Sequence, residues 1–543
     1  MDTARPRTTP DHRRPVADAP AGPVRGIRGA GVTAFRGIPY ARPATGELRF
    51  RHAVPAEAFR EPYDASASGP FAVQPRPRGR SGGSEDAAWL SVVVPDADVV
   101  DRGIAHPDAV AAAERAWGAA GSGSRAASGA LPEGGPGRGL PVVVFFHGGS
   151  FISGSAAEPL YDGEEFARAV GAVVVMVNFR LGLLGQLDLS SLGGADPNPG
   201  LSDQVAAVEW VHANIAAFGG DPDRITLMGQ SAGGAAIAHM LAVPRVRRIA
   251  AGAIAQSPAV CSTHFPDEAA GWAREVPAIA GVDRRHALRE LRRMSPEALV
   301  AAGRELVARK DRDSTHAGCF APVVDGDLLP RHPLDPAAAG EPGPPLLIGT
   351  TADEFSMAAL VQRGPSARES SARRFVERID PEADAGALLG AYRGARPRVD
   401  YARMLSDSLF WAPSVRLAER HAGPTWMYRL DYAPPALRRT GLGACHSLDL
   451  PLLLREDRGL GWYALRFGGR ETFREVAREM RRAWSAFIAG AGPGWDAYEP
   501  GARVTRVWRD DGPRDLSDPR ADFRDAWALV RLGEVSGGET WPE

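Results

Sequence analysis

Cysteine is scarce: Cys261, Cys319 and Cys445 are the three in a chain of 543 residues. At most one bridge could join them, so no disulfide framework holds this chain together, and reduced, cytoplasmic residence is the simpler expectation. Long apolar runs are missing too. The densest, Val142 to Phe146 and Ala172 to Val177, fall far short of the roughly 20 residues that a membrane-spanning helix needs, and they read as buried strands. Residues Met1 to Pro20 contain Arg13-Arg14 and several prolines but no following apolar run, so neither a secretory nor a twin-arginine signal is expected there. Charge of one sign is also lacking. The 64 Lys and Arg against 66 Asp and Glu leave a formal charge of -2, which gives no overall field to draw in nucleic acid or an acidic membrane. No His-Glu-x-x-His motif is present and the Asp and His residues show no ligand spacing, so neither a metal nor a cofactor is expected.

A composition of 44% hydrophobic and 24% charged residues is that of a globular protein. The runs Val142 to Phe146 and Ala172 to Val177 have no polar alternation, which implies a sheet covered on both faces. Tyr161 to Val170 has the length and polarity of a connecting helix. Val205, Val208, Val211, Ile215 and Phe218 recur at threes and fours and mark a helix over Asp203 to Phe218, stopped by Gly219-Gly220-Asp221-Pro222. Strand Arg224 to Met228, helix Ser231 to Leu241 and strand Ala251 to Ala255 follow, and Pro345 to Thr350 and Thr425 to Leu430 look like further strands. This alternation places the chain in the α/β class. Phe473, Val476, Met480, Trp484 and Phe487 mark an amphipathic helix near the C-terminus.

Gly229-Gln230-Ser231-Ala232-Gly233-Gly234 sits between that strand and that helix, the context of a nucleophile elbow in which a sharp turn presents a serine hydroxyl. A serine cannot attack unaided at neutral pH, so it needs a base, and the base needs an orienting acid. In the elbow arrangement the order along the chain is serine, acid, histidine. His446 follows a predicted strand in a short loop and is the candidate base; Glu354 and Asp353, just past the strand ending at Gly349-Thr350, are the candidate acids. His147-Gly148-Gly149-Ser150-Phe151 ends another strand and is the glycine-rich loop whose Gly148 and Gly149 N–H groups, with that of Ala232, would stabilise an oxyanion.

These residues resemble the type-B carboxylesterase family, which includes bacterial para-nitrobenzyl esterases, animal carboxylesterases and cholinesterases. The match is spread over Phe35 to Pro43, Ser84-Glu85-Asp86, His147 to Phe151, Asn178 to Gly182, Gly200 to Gln204, Phe218 to Pro222 and the elbow, with coverage from about Gly26 to Trp527. The resemblance implies an α/β-hydrolase fold, a large and mostly parallel sheet with cap insertions. Its Gly-Thr-x-x-Asp-Glu segment maps onto Gly349 to Glu354 and selects Glu354 as the acid. Its histidine pattern maps onto His446-Ser447-Leu448-Asp449-Leu450, with Ser447 in place of a glycine and Asp449 in place of a glutamate. Ser257 resembles a serine that supports the triad from behind, and also fits a plain strand-end cap. The family's Ser-Glu-Asp-Cys is here Ser84-Glu85-Asp86-Ala87, and losing that disulfide agrees with a bacterial, intracellular type. Gln230 stands where cholinesterases carry a glutamate, so a neutral ester rather than a cationic choline ester is the expected substrate.

The expectation is therefore a serine carboxylesterase working through an acyl-enzyme. An acyltransferase on the same machinery and a non-catalytic binding protein of the same fold are the alternatives. Residues 1–25 are expected to be a flexible extension. Residues 26–543 should form one domain, with a low-complexity loop at 118–139 and helical insertions at 269–309 and 368–393. Phe151, Leu184, Phe320 and Phe355 are candidates to line the substrate pocket.

Overall fold

The computed structural model describes residues 14–97, 100, 104–118, 137, 139–310, 318–335, 342–357, 365–392, 394, 397–458 and 464–532. Most of the expected 118–139 loop therefore lies outside the described residues. Among those described, an eleven-stranded sheet runs in the order Arg514–Ser517, Val504–Trp508, Thr425–Leu430, Leu346–Thr351, Ala250–Gln256, Gly220–Gln230, Leu140–Phe146, Val173–Val177, Trp89–Pro95, Val32–Pro39, Ile27–Gly29. From Val504–Trp508 to Val173–Val177 every pairing is parallel, and the strands outside that block are antiparallel. Val142, Val143 and Val144 are fully buried because helices cover both faces, which is why their run needs no polar alternation.

Strand Leu140–Phe146 pairs with Val173–Val177 on one side and with Gly220–Gln230 on the other. The chain thus winds outward in both directions from it. In such open sheets ligands bind past the carboxyl ends of the strands at this reversal, and the segments beginning at His147 and Ser231 emerge there.

Expected elements differ mainly at their ends. The helix expected over Asp203 to Phe218 starts earlier, as Pro199–Asn214, because proline suits a first helical turn, and it tightens into a 3-10 turn at Ile215–Phe218. The 269–309 insertion comprises the helices Pro266–Ala273, Val276–Ala280, Ala287–Leu291 and Pro296–Lys310; the 368–393 one comprises Pro365–Ile379 and Ala385–Ala391. Residues 14–25 correct the expectation of a flexible extension. Val16–Ala19 pairs with Gly22–Arg25, which in turn pairs with Tyr63–Asp64, burying Ala17 and Val24. Two small apolar side chains are enough to seat this hairpin, and too few to show as a pattern.

Several family motifs are structural. Arg180 grips Asp203 through Nε and Nη2 at 2.8 and 2.6 Å and also donates to the carbonyls of Arg51 and Pro199. Asn178 accepts from Ser155 and donates to Ala87, fixing the end of its strand. Arg49 makes a paired contact with Glu85 while a third nitrogen reaches the carbonyls of Leu291, Arg292 and Met294. No helix among the described residues is long and apolar enough to cross a membrane.

Candidate active site

Gln230 ends one strand and Ala232 begins helix Ala232–Ala242, so the whole reversal falls on Ser231, at φ 59° and ψ -121°. This is costly backbone for a residue with a β-carbon, and it persists because the surroundings over-determine it. Ser231 N–H donates to the Gln256 carbonyl at 2.9 Å on the neighbouring strand. A β-carbon on Gly233 would lie 2.0 Å from the Phe146 carbonyl oxygen, and one on Gly148 would lie 3.1 Å from Ser231 Cβ. Only glycine at both places lets the His147 loop close over the serine.

That loop is itself held in an uncommon shape. Ser150 and Phe151 both have positive φ, 55° and 58°, and the carbonyl of Gly149 accepts from Ile152 and Ser153. His147 is buried against Phe179, with ring centroids 4.5 Å apart. Burial pulls its pKa down to about 4, against a smaller opposing effect of the Gly148 carbonyl, so its Nδ1–H donates to that carbonyl at 2.8 Å from a neutral ring.

Glu354 is 2% exposed, and its two oxygens do different things. Oε1 accepts from Ser257 Oγ at 2.6 Å and from the Thr351 N–H at 2.7 Å; Oε2 lies 2.5 Å from His446 Nδ1. Asp353 faces elsewhere: it accepts from the Ala444 N–H at 3.0 Å and so pins the loop that carries the histidine. Of the two neighbouring carboxylates, Glu354 is the one that touches the imidazole.

With Nδ1 against a carboxylate, His446 keeps its proton on that side and turns a lone pair outward from Nε2. Nε2 lies 3.2 Å from the side-chain amide nitrogen of Gln230, the residue next to Ser231, so the histidine and the elbow meet on the same side of the sheet. Burial of the ring disfavours its charged form, but the charge and hydrogen bond of Glu354, with a contribution from Asp449, outweigh that and raise the His446 pKa.

Sequence reasoning gave no role to five residues around the site. Phe410 packs on the His446 ring with centroids 4.6 Å apart, from a π-helical turn, Asp407–Trp411, that has no sequence signature. Thr351 acts through its backbone. Gln256 donates from Nε2 to Asp449 at 2.6 Å, and the Tyr428 hydroxyl approaches the same oxygen at 3.4 Å. Asp449 is buried behind the histidine; burial, then the charge of Glu354, push its carboxyl up to about 6, against smaller downward effects from Gln256 and His446. Its place in the histidine motif was the available signal.

A cavity of 340 Å³ opens beside the His147 loop, walled mainly by apolar side chains including Ile152, Leu181, Leu183, Leu299 and Val307. Of the four candidate pocket residues, Leu184 and Phe320 are in its lining. Phe151 and Phe355 are not; Phe151 packs near His239 instead, and its carbonyl accepts from the Gly182 N–H. Among the described residues no group of three or more His, Cys, Asp or Glu side chains is placed to hold a metal ion.

The carboxylesterase family model matches residues 13–510. The chain belongs to the carboxylesterase family. It is similar to the para-nitrobenzyl esterase of Bacillus subtilis (strain 168), 32% identical over 90% of this chain and 93% of that one. It is also similar to the phenmedipham hydrolase of Pseudarthrobacter oxydans, 30% identical over 93% and 98%. A solved para-nitrobenzyl esterase structure superposes with a TM-score of 0.77 at 29% identity, covering 94% of this chain and 99% of that one. A Geobacillus stearothermophilus carboxylesterase superposes at 0.76 and 28%, with the same coverage. The fold is accordingly that of the α/β-hydrolases, and this carboxylesterase is a carboxylic ester hydrolase acting on a small-molecule ester.

Proposed function

We propose that this carboxylesterase cleaves neutral esters through an acyl-enzyme formed on Ser231, with His446 as base and Glu354 as the acid that orients it. The supporting observation is the position of His446, whose Nδ1 is held by Glu354 while Nε2 borders the elbow. Ser231 Oγ attacks the ester carbonyl as Nε2 takes its proton, and the imidazolium then protonates the leaving alcohol. Water repeats the steps in reverse and frees the acid. The N–H groups of Gly148, Gly149 and Ala232 stabilise the tetrahedral anion, each donor contributing about 3 kcal/mol in the transition state. Ser257 supports the triad by holding Glu354 Oε1, and Gln230 borders the histidine without bringing a charge to it.

A serine-directed phosphonate tests the nucleophile. One adduct per chain by intact mass, absent in Ser231→Ala, is the expected result; an adduct that survives the substitution overturns the assignment. Product analysis with added alcohol separates hydrolysis from acyl transfer.

Two further outcomes follow from the geometry. The base works neutral, and its pKa is raised, so kcat/KM should climb with pH through a midpoint above the ordinary histidine value of about 6.5. A midpoint at or below that value in a stopped-flow profile would contradict the Glu354 pairing. The apolar cavity suits an acyl chain rather than a charged group. A β-carbon on Gly303 would sit 3.2 Å from the Phe320 ring and 3.5 Å from Leu183, so Gly303→Leu should fill part of this space. It is expected to lower kcat/KM about tenfold for an octanoyl ester and to leave the acetyl ester nearly unchanged. Equal losses on both esters would remove the acyl chain from this cavity.

A further inference from the structure

A second cavity, 370 Å³ in volume, lies between helix Ala412–Arg420 and helix Ala521–Ala528, apart from the one beside the His147 loop. Its lining is of another kind. Trp411, Val415, Trp527 and Leu532 supply apolar wall, while Arg416, Arg420, Arg503 and Arg524 bring four guanidinium groups against one carboxylate, that of Glu419.

The charges do not cancel. Arg503 pairs with Glu419 at 3.0 Å, and Arg524 with Asp518 and Asp525, each at 2.8 Å. Arg420 is engaged as well, donating to the Leu334 carbonyl. Arg416 is half-buried and has neither an ion pair nor a hydrogen bond among the described residues. An uncompensated guanidinium on the wall of a partly apolar cavity carries a field that water screens poorly, and a bound anion would relieve it.

We propose that this cavity is a second binding site for an organic carboxylate with an apolar body. The carboxylate takes the Arg416 fork in paired hydrogen bonds, a geometry that guanidinium and carboxylate share. The body lies along Trp411, Val415 and Trp527. With Arg503 and Arg524 committed to acidic partners and Arg420 engaged by the Leu334 carbonyl, the fork of Arg416 remains, which matches one carboxylate better than a doubly charged phosphate. Every turnover of an ester hydrolase releases an acid of this class, so the product itself qualifies as a ligand. The cavity also adjoins the active site through one turn: Trp411 follows Phe410, and Phe410 packs on His446.

Isothermal titration of the full chain with octanoate tests the site. Saturable binding is expected, with octanol at least tenfold weaker because it lacks the anion. Arg416→Glu should weaken the octanoate event at least tenfold while esterase activity and thermal midpoint stay near wild type. Arg416→Lys, which keeps the charge and loses the fork, should weaken it several-fold and serves if the glutamate variant folds poorly. Octanoate held at the elbow would not respond to position 416. The proposal is overturned by an absence of saturable binding, by equal affinity for octanol, or by an affinity unchanged in the Arg416 variants.

Discussion

Ser231→Ala is expected to lower kcat by about a millionfold, and His446→Ala by about as much. The double variant should be no worse than either alone, because the two residues serve one proton transfer and removing either removes both functions. A small residual rate over water should survive in each, owing to the backbone donors around Ser231 and to substrate binding. Single-turnover kinetics with a chromogenic ester, on protein freed of wild-type contamination, gives the comparison. If the Ser231→Ala enzyme keeps even a hundredth of the wild-type rate, the acyl-enzyme mechanism has lost its nucleophile.

The second large effect concerns stability in acid. Burial dominates the pKa of three histidines, lowering His147 to about 4 and His239 and His332 to about 3. Like charges on His264 act in the same direction on His239, and those on His239, Arg420 and His264 on His332. Below the ordinary histidine pKa of about 6.5 the unfolded chain takes up these protons and the folded chain does not, so folding is disfavoured progressively as pH falls toward the folded values. At pH 5 the three together remove about 6 kcal/mol. Two groups act the other way. Asp449, raised to about 6, returns about 1 kcal/mol over the same range, and His446, whose pKa is also raised, adds a contribution of the same sign. Before the His446 contribution the net loss is on the order of 5 kcal/mol, a large share of the roughly 5–15 kcal/mol that holds a typical protein together. Urea unfolding at pH 7.5 and pH 5 should show a clear drop in midpoint, and an unchanged midpoint would refute the neutrality of these rings.

Features governed by local pattern could be read directly from the chain. Uninterrupted valine runs announced the covered parallel strands, and glycine at the close contacts announced the elbow and the His147 loop. Distances across the fold could not be read. Periodicity and spacing left Asp353 and Glu354 equivalent; the resemblance chose between them, and the structure shows the contact, with Glu354 against the imidazole and Asp353 against Ala444. Gln256 and Tyr428 reach Asp449 from the two strands that flank Leu346–Thr351, a juxtaposition set by sheet order. Residues 14–25 went unrecognised because a hairpin anchored by Ala17 and Val24 buries too little to leave a hydrophobic signature. Of the four candidate pocket residues, Leu184 and Phe320 line the cavity and Phe151 and Phe355 do not, since nearness to a motif in sequence does not set the direction of a side chain.

The π-helical turn at Asp407–Trp411 amounts to one surplus residue in an otherwise ordinary helical path, which offsets the angular phase of everything beyond it by about 100°. Excising that residue would give the backbone a more regular hydrogen-bond ladder and would swing either Phe410 away from the imidazole or the Ala412–Arg420 segment out of register with the sheet. A deletion that smooths this helix should therefore cost turnover, the reverse of what helix regularity alone would suggest.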